Sequence, residues 1–185
     1  MALPAVTLAL LGAGCGRRPE PLPVYGQVPA FVLTAQQGKE FRSQELDGKV
    51  WVADFIYTSC EGPCPRMSAL MRRIQEETRD LPQVRLVSFT VDPARDTPEV
   101  MAAYARHYQA IPGRWFFLTG ARDDLQQLYR HAFLLGDVDG TLVHSTRFVL
   151  VDGRGRIRGF YGTSDVEDIA RLTADLRRLA TAARN

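Results

Sequence analysis

The sequence is short of lysine, histidine and cysteine, and each shortage narrows what the chain can be. Lysine occurs only at positions 39 and 49, so arginine carries nearly all the basic charge. This is a compositional bias: Lys plus Arg (23) barely exceeds Asp plus Glu (21), for a net charge of +2. So small an excess gives no basis for nucleic-acid binding. Three cysteines in 185 residues do not make a disulfide scaffold, and a chain of this length buries a full core without one. Hydrophobic residues make up 45% and charged residues 24%, a globular balance that excludes both disorder and a polytopic membrane protein. No internal repeat is present.

The N-terminus reads as an address. Residues 2–14 (ALPAVTLALLGAG) are apolar but too short for a transmembrane helix of ~20 residues, and have the character of an export signal. They run into Leu11-Gly12-Ala13-Gly14-Cys15, which resembles a bacterial lipobox, where small residues precede a cysteine that is lipidated after cleavage. The alternative is a free Cys15 thiol on an uncleaved anchor. Residues 1–15 are therefore expected to be an export signal and residues 16–27 a linker. The stretch RRPEPLPVYGQVP, with four prolines, suits a stiff, extended spacer. One domain, residues 28–185, follows, expected to be anchored to the cell membrane on the periplasmic or extracytoplasmic side.

Within it, Phe31 to Thr34 and Glu40-Phe41 flank Gln36-Gln37-Gly38-Lys39 as a first hairpin. Val50 to Tyr57 is a continuous apolar run interrupted only by Asp54, the pattern of a strand buried on both faces. Met67, Leu70, Met71 and Ile74 follow at helical spacing. Val84 to Val91 is a second core strand, and Asp96-Thr97-Pro98-Glu99 opens a helix with Asp or Thr as cap and Glu99 closing a capping box. Trp115 to Leu118 is a strand and residues 123–132 a helix. Arg147 to Val151 and Ile157 to Tyr161 are strands joined by the turn Asp152-Gly153-Arg154-Gly155. Ser164 with Glu167 forms a capping box before a last helix over about 165–182. Alternating β and α units require parallel central strands. The expectation is an α/β, thioredoxin-like sandwich with a mixed central sheet, helices on both faces and an N-terminal hairpin.

The chemistry concentrates at Cys60-Glu61-Gly62-Pro63-Cys64-Pro65, between a buried strand and a helix. Pro63 and Pro65 disfavour helical dihedrals at Gly62 and Cys64, which places the pair on the loop with Cys64 near the helix cap. There the positive end of the helix dipole favours thiolate. Two thiols at this spacing either close a disulfide or hold a soft metal; as an inert staple, so short a loop would contribute little stability. The peroxiredoxin pattern, Thr or Ser three residues before the reactive Cys and Pro four before that, is absent: Tyr57 and Ala53 stand there. Ordinary thioredoxins have two residues between the cysteines and a proline before a later strand. Here that strand is preceded by His144-Ser145-Thr146. His107 and His131 read as surface or boundary residues, whereas His144 is either held by backbone contacts or a ligand beside the cysteine loop.

Three segments together resemble the Sco/SenC family, membrane-tethered copper-binding proteins that assist assembly of the dinuclear copper centre of cytochrome c oxidase. They are Phe55-Ile56-Tyr57-Thr58-Ser59-Cys60 through Cys64-Pro65; the run from Ser88 through Val91-Asp92-Pro93-Ala94-Arg95-Asp96-Thr97-Pro98-Glu99; and Val143-His144-Ser145-Thr146 with Leu150-Val151-Asp152 and Gly155. The resemblance implies Cys60, Cys64 and His144 as copper ligands, and soft thiolates with one imidazole suit Cu(I), with Cu(II) as a further state. One departure is that Glu61 follows Cys60, where the family usually has proline. Asp92 is expected to cap its turn, and Arg95 and Asp96 to serve as turn and cap chemistry. Arg154, Arg156 and Arg158 form an alternating basic face, read as a solvated edge that resists strand pairing.

Two functions follow. One is a metallochaperone delivering copper to the copper-centre subunit of cytochrome c oxidase, with a periplasmic copper donor or a thiol reductant as further partners. The other is a thiol–disulfide oxidoreductase that reduces the subunit's copper-ligand cysteines, in which Cys60 attacks and Cys64 resolves.

Overall fold

The computed structural model describes residues 20–133, 135 and 145–182; Cys15, the signal and His144 lie outside them. One sheet contains β1 (Gly26–Gln27), β2 (Val32–Ala35), β3 (Glu40–Arg42), β4 (Val50–Ile56), β5 (Val84–Thr90), β6 (Trp115–Thr119), β7 (Arg147–Val151) and β8 (Arg156–Gly162). Their spatial order is β1-β8-β7-β4-β5-β6-β2-β3. The central β4, β5 and β6 run parallel, as their helical crossovers demand. The flanking β7, β8 and the β2–β3 hairpin pair antiparallel, so the sheet is mixed, in the expected thioredoxin-like arrangement.

Helices cover both faces because β4 is apolar on both. Val50, Val52 and Ile56 pack with Met67, Met71 and Ile74 of α1 (Cys64–Glu77), Met101 and Ala105 of α2 (Pro98–His107), and Ile169, Leu172 and Leu176 of α4 (Val166–Ala182). The intervening Trp51, Ala53 and Phe55 face Leu125 of α3 (Arg122–Gln127) and Leu128, Tyr129 and Ala132 of the π-helical turn that continues it. Alternation along one strand thus supplies two cores.

The helix starts differ in detail from the sequence reading. Thr97, not Asp96, caps α2: its hydroxyl accepts Val100 N–H at 3.4 Å and donates to Glu99 at 2.8 Å. Ahead of α4 the capping oxygen belongs to Asp165, which accepts Glu167 N–H at 2.8 Å, whereas the Ser164 carbonyl accepts from Arg66. An ionised carboxylate at a helix start gains from the dipole, an advantage a serine hydroxyl lacks.

Of the alternating arginines, Arg154 is exposed and Arg156 half-exposed, as expected of a solvated edge, but Arg158 is not. Arg158 is 7% exposed, and β1 covers β8 by pairing with Ile157 and Arg156. Asp152 binds both Arg156 Nε at 2.9 Å and Arg158 Nη1 at 2.7 Å. Arg158 also donates to the carbonyls of Pro23 and Leu22, and Leu22 packs against the core. Residues 22–27, which the proline content marked as spacer, are therefore held on the folded body through a buried arginine and a two-residue strand. A strand that short carries no periodicity to read.

Asp54, the one polar side chain in β4, is fully buried. Ser88, opposite it in register, accepts from Trp115 Nε1 and only partly offsets that burial. Burial pushes the carboxyl up to about 7. A carboxyl raised on folding keeps a proton that the unfolded chain has lost, so its contribution to stability falls as pH climbs from its unfolded value towards 7 and is flat above. The cost at neutral pH is on the order of 4 kcal/mol. Asp54→Asn is therefore expected to raise the thermal midpoint at neutral pH and to flatten its decline between acid and neutral pH. Thermal unfolding followed by circular dichroism checks this; a less stable variant that keeps the wild-type pH slope contradicts it.

Candidate metal centre

The cysteine loop begins where β4 runs out of partners. Val91 N–H donates to the Ile56 carbonyl at 2.8 Å, the last link along the β4–β5 seam, and Cys60 N–H donates to the Tyr57 carbonyl at 3.2 Å, turning the chain. Cys64 is the first residue of α1, with Pro63 as N-cap at helical dihedrals (φ −75°, ψ −25°) and Met67 N–H bonded to the Pro63 carbonyl at 3.0 Å. Pro65 disfavours a helical residue before it, which argues for Cys64 on the loop. At the helix start, however, Pro65 costs no intrahelical bond, and burial of Cys64 among the apolar side chains of α1 and β4 prevails. Both cysteines are free thiols, with Cys60 7% exposed and Cys64 fully buried.

The two thiols are electrostatically unlike. Burial pushes Cys60 up, but hydrogen bonds from the Cys64 thiol and backbone N–H, the Tyr57 hydroxyl and Gly62 N–H outweigh it and hold Cys60 below the ordinary thiol range. Cys64 is raised well above that range, chiefly by burial, with the charges of Cys60 and Asp54 acting in the same direction. The helix dipole therefore does not make Cys64 the thiolate, as its position had suggested, since desolvation is the larger effect. Tyr57 is itself raised, first by its bond to Cys60.

A second loop, after β5, lies against the first. Asp92 does not cap its turn with its side chain; its backbone carbonyl accepts Arg95 and Asp96 N–H, while its carboxylate, almost buried, faces Arg95 at 3.8 Å and Arg122 at 4.0 Å. Its charge contributes to raising Tyr57, which puts it within electrostatic reach of the cysteine loop. Asp96 is neither turn nor cap chemistry: it is fully buried and bonded to Thr58 and Thr90.

The third expected ligand, His144, lies outside the described residues, and among these no group of three His, Cys, Asp or Glu is placed to hold a metal ion. The next residue is fixed: Ser145 N–H donates to the Tyr129 hydroxyl at 2.6 Å, and Tyr129 packs edge-on to Phe55 at 5.0 Å. The register of β7 against β4, with Val151 opposite Trp51 and Val149 opposite Ala53, puts the start of β7 at the end of the sheet from which the cysteine loop departs.

Tyr57 and Asp54 escaped the sequence reading as site residues. The signal for Asp54 was its place in an otherwise apolar strand; Tyr57 gave none, since in the sequence it is one more aromatic at the end of an apolar run. Tyr57→Phe is expected to slow alkylation of Cys60 by iodoacetamide at neutral pH, because loss of the hydroxyl's hydrogen bond raises Cys60 and lowers its thiolate fraction. Site-resolved mass spectrometry measures it, and an unchanged rate contradicts the hydroxyl's role.

With this geometry in hand, residues 23–181 match the family model described as SCO1/SenC. A solved SCO1/SenC family lipoprotein from Bacillus anthracis superposes with a TM-score of 0.76 at 32% identity, covering 84% of this chain and 95% of that one. BsSco, described with a disulfide switch and as a member of the Sco family of cytochrome c oxidase assembly proteins, gives 0.76 at 28% identity, covering 88% and 99%. Bradyrhizobium japonicum ScoI with copper bound gives 0.64 at 25% identity, covering 83% and 99%. The chain belongs to the SCO1/SenC family.

Proposed function

We propose that the protein is a copper metallochaperone that binds the ion through Cys60, Cys64 and His144 and passes it to the copper-centre subunit of cytochrome c oxidase. The observation that carries this reading is the unlike pair of reduced thiols, four positions apart around a helix start, one held below the ordinary thiol range and the other above it. Thiolate sulfur selects Cu(I) over harder ions, and a single imidazole completes a low-coordinate site. The binding costs protons: Cys64, raised by burial, gives up its proton only when the incoming cation compensates the charge. Loading is therefore expected to release protons and to strengthen with pH. Copper is cargo here, and a site of few ligands suits its release, because an acceptor's sulfur can enter before the donor's leaves.

The copper-bound state of Bradyrhizobium japonicum ScoI supports the metal, and the assembly role stated for BsSco supports the oxidase as partner. The lipoprotein from Bacillus anthracis supports an exported protein anchored through Cys15. Among the described residues no helix is long and apolar enough to cross a membrane.

A second reading is favoured by the same asymmetry. A lowered Cys60 and a raised, buried Cys64 are the attacking and resolving halves of a dithiol reductase, and a disulfide switch is described for BsSco. The two readings part at His144, which metal delivery uses and thiol exchange does not. Anaerobic titration of the reduced protein with Cu(I) against a competing chelator is expected to give one tight copper per chain. Cys60→Ser/Cys64→Ser abolishes it, and His144→Ala weakens it by about tenfold or more, at least ~1.4 kcal/mol. Equal affinity in wild type and His144→Ala overturns the three-ligand site and leaves the dithiol reductase.

A further inference from the structure

We propose that Asp96 is the positioning residue of the dithiol site: its buried carboxylate gathers Thr58 and Thr90 and thereby fixes the loop that carries Cys60. The proposal rests on the reading of Cys60 and Cys64 as the reactive pair and adds the device that holds them.

The carboxylate is fully buried and is met by three donors from two other segments. Thr58 gives its backbone N–H to both oxygens, at 3.3 and 3.2 Å, and its hydroxyl to Oδ1 at 2.5 Å. Thr90, the last residue of β5, gives its hydroxyl to Oδ2 at 2.5 Å and accepts Asp92 N–H at 2.9 Å. Both nearby arginines, Arg95 and Arg122, are directed to Asp92, so Asp96 is balanced by neutral donors. A buried carboxylate held this way is costly unless every donor is in place, which makes the arrangement intolerant of slippage.

The bonds fall where the cysteine loop has least other support. Thr58 stands two residues before Cys60, and beyond Ile56 the strand has no further β5 partner in register. Asp96 in turn is rigidly mounted: its own N–H is bonded to the Asp92 carbonyl at 2.9 Å, and Thr97 beside it caps α2. The chain is thus clamped at residue 58 to the start of a helix 38 positions away, and the position of the Cys60 sulfur relative to Cys64 follows from that clamp. Asparagine, with one acceptor oxygen and an NH2 in place of the other, cannot receive all three donors.

The test measures the dithiol–disulfide equilibrium of the metal-free protein against redox buffers of dithiothreitol, with thermal unfolding alongside. Asp96→Asn is expected to shift that equilibrium by at least tenfold, about 30 mV for a two-electron couple. Thr58→Val, which keeps the backbone bond and loses the hydroxyl bond, shifts it less and in the same direction. Asp152→Asn, which breaks a buried carboxylate hub at the opposite end of the sheet, is expected to lower the thermal midpoint without moving the equilibrium. Should Asp96→Asn and Asp152→Asn both lose stability while both keep the wild-type equilibrium within twofold, Asp96 is structural only and the proposal is overturned. If Asp96→Asn does not fold, an unshifted equilibrium in Thr58→Val overturns it equally. Because the readout uses no copper, a wild type that binds no metal defeats the metallochaperone reading and leaves this result standing.

Discussion

A thiol enclosed by apolar side chains resists losing its proton, and the character of this site follows from leaving only one of its two thiols in that condition. Cys64 is sealed at the start of α1 and raised by burial. Cys60, four positions earlier, is lowered because Cys64 itself, Tyr57 and the Gly62 backbone all donate to it. The pair is thus internally polarised, one sulfur held below the ordinary thiol range and the other above it. A soft cation and a disulfide exchange partner would both exploit that difference, which is why the fold suits either chemistry.

The sheet makes this polarisation durable. Parallel β4 and β5 end at the same edge, so the loop after one and the loop after the other lie together, and antiparallel β7 begins at that edge. Two of the segments that carry the family resemblance, 55–65 and 88–99, converge there, with Arg147 at the start of β7 beside them. Asp54, beneath the site, contributes in another way. It is fully buried, with desolvation outweighing the hydrogen bonding that opposes it, and accepts a stability cost that an apolar residue would not incur, a pattern expected of strain retained near function.

Much of the architecture was legible because it rests on periodicity. The unbroken apolar run of β4, the helical spacing of Met67, Met71 and Ile74, and the Asp152-Gly153-Arg154-Gly155 turn all declare themselves in the chain, and the strands lie within a residue or two of where the pattern puts them. What escaped depends on contacts between distant segments. A lone Thr58 means nothing without Asp96, and Arg158 reads as solvent-facing like its neighbours until Asp152 and the carbonyls of residues 22 and 23 fold against it. The misreading of Cys64 has the same origin. Local rules assign it to a loop and to the favourable end of a dipole, whereas burial, a property of the whole fold, puts it inside the helix and raises its pKa.

The central claim is that Cys60, Cys64 and His144 form one copper site within a single chain, and copper K-edge X-ray absorption of the loaded, reduced protein tests it most directly. The account predicts two sulfur scatterers and one imidazole nitrogen per copper, with the imidazole signature lost in His144→Ala. Three sulfurs per copper, or an imidazole signal that survives His144→Ala, would contradict it.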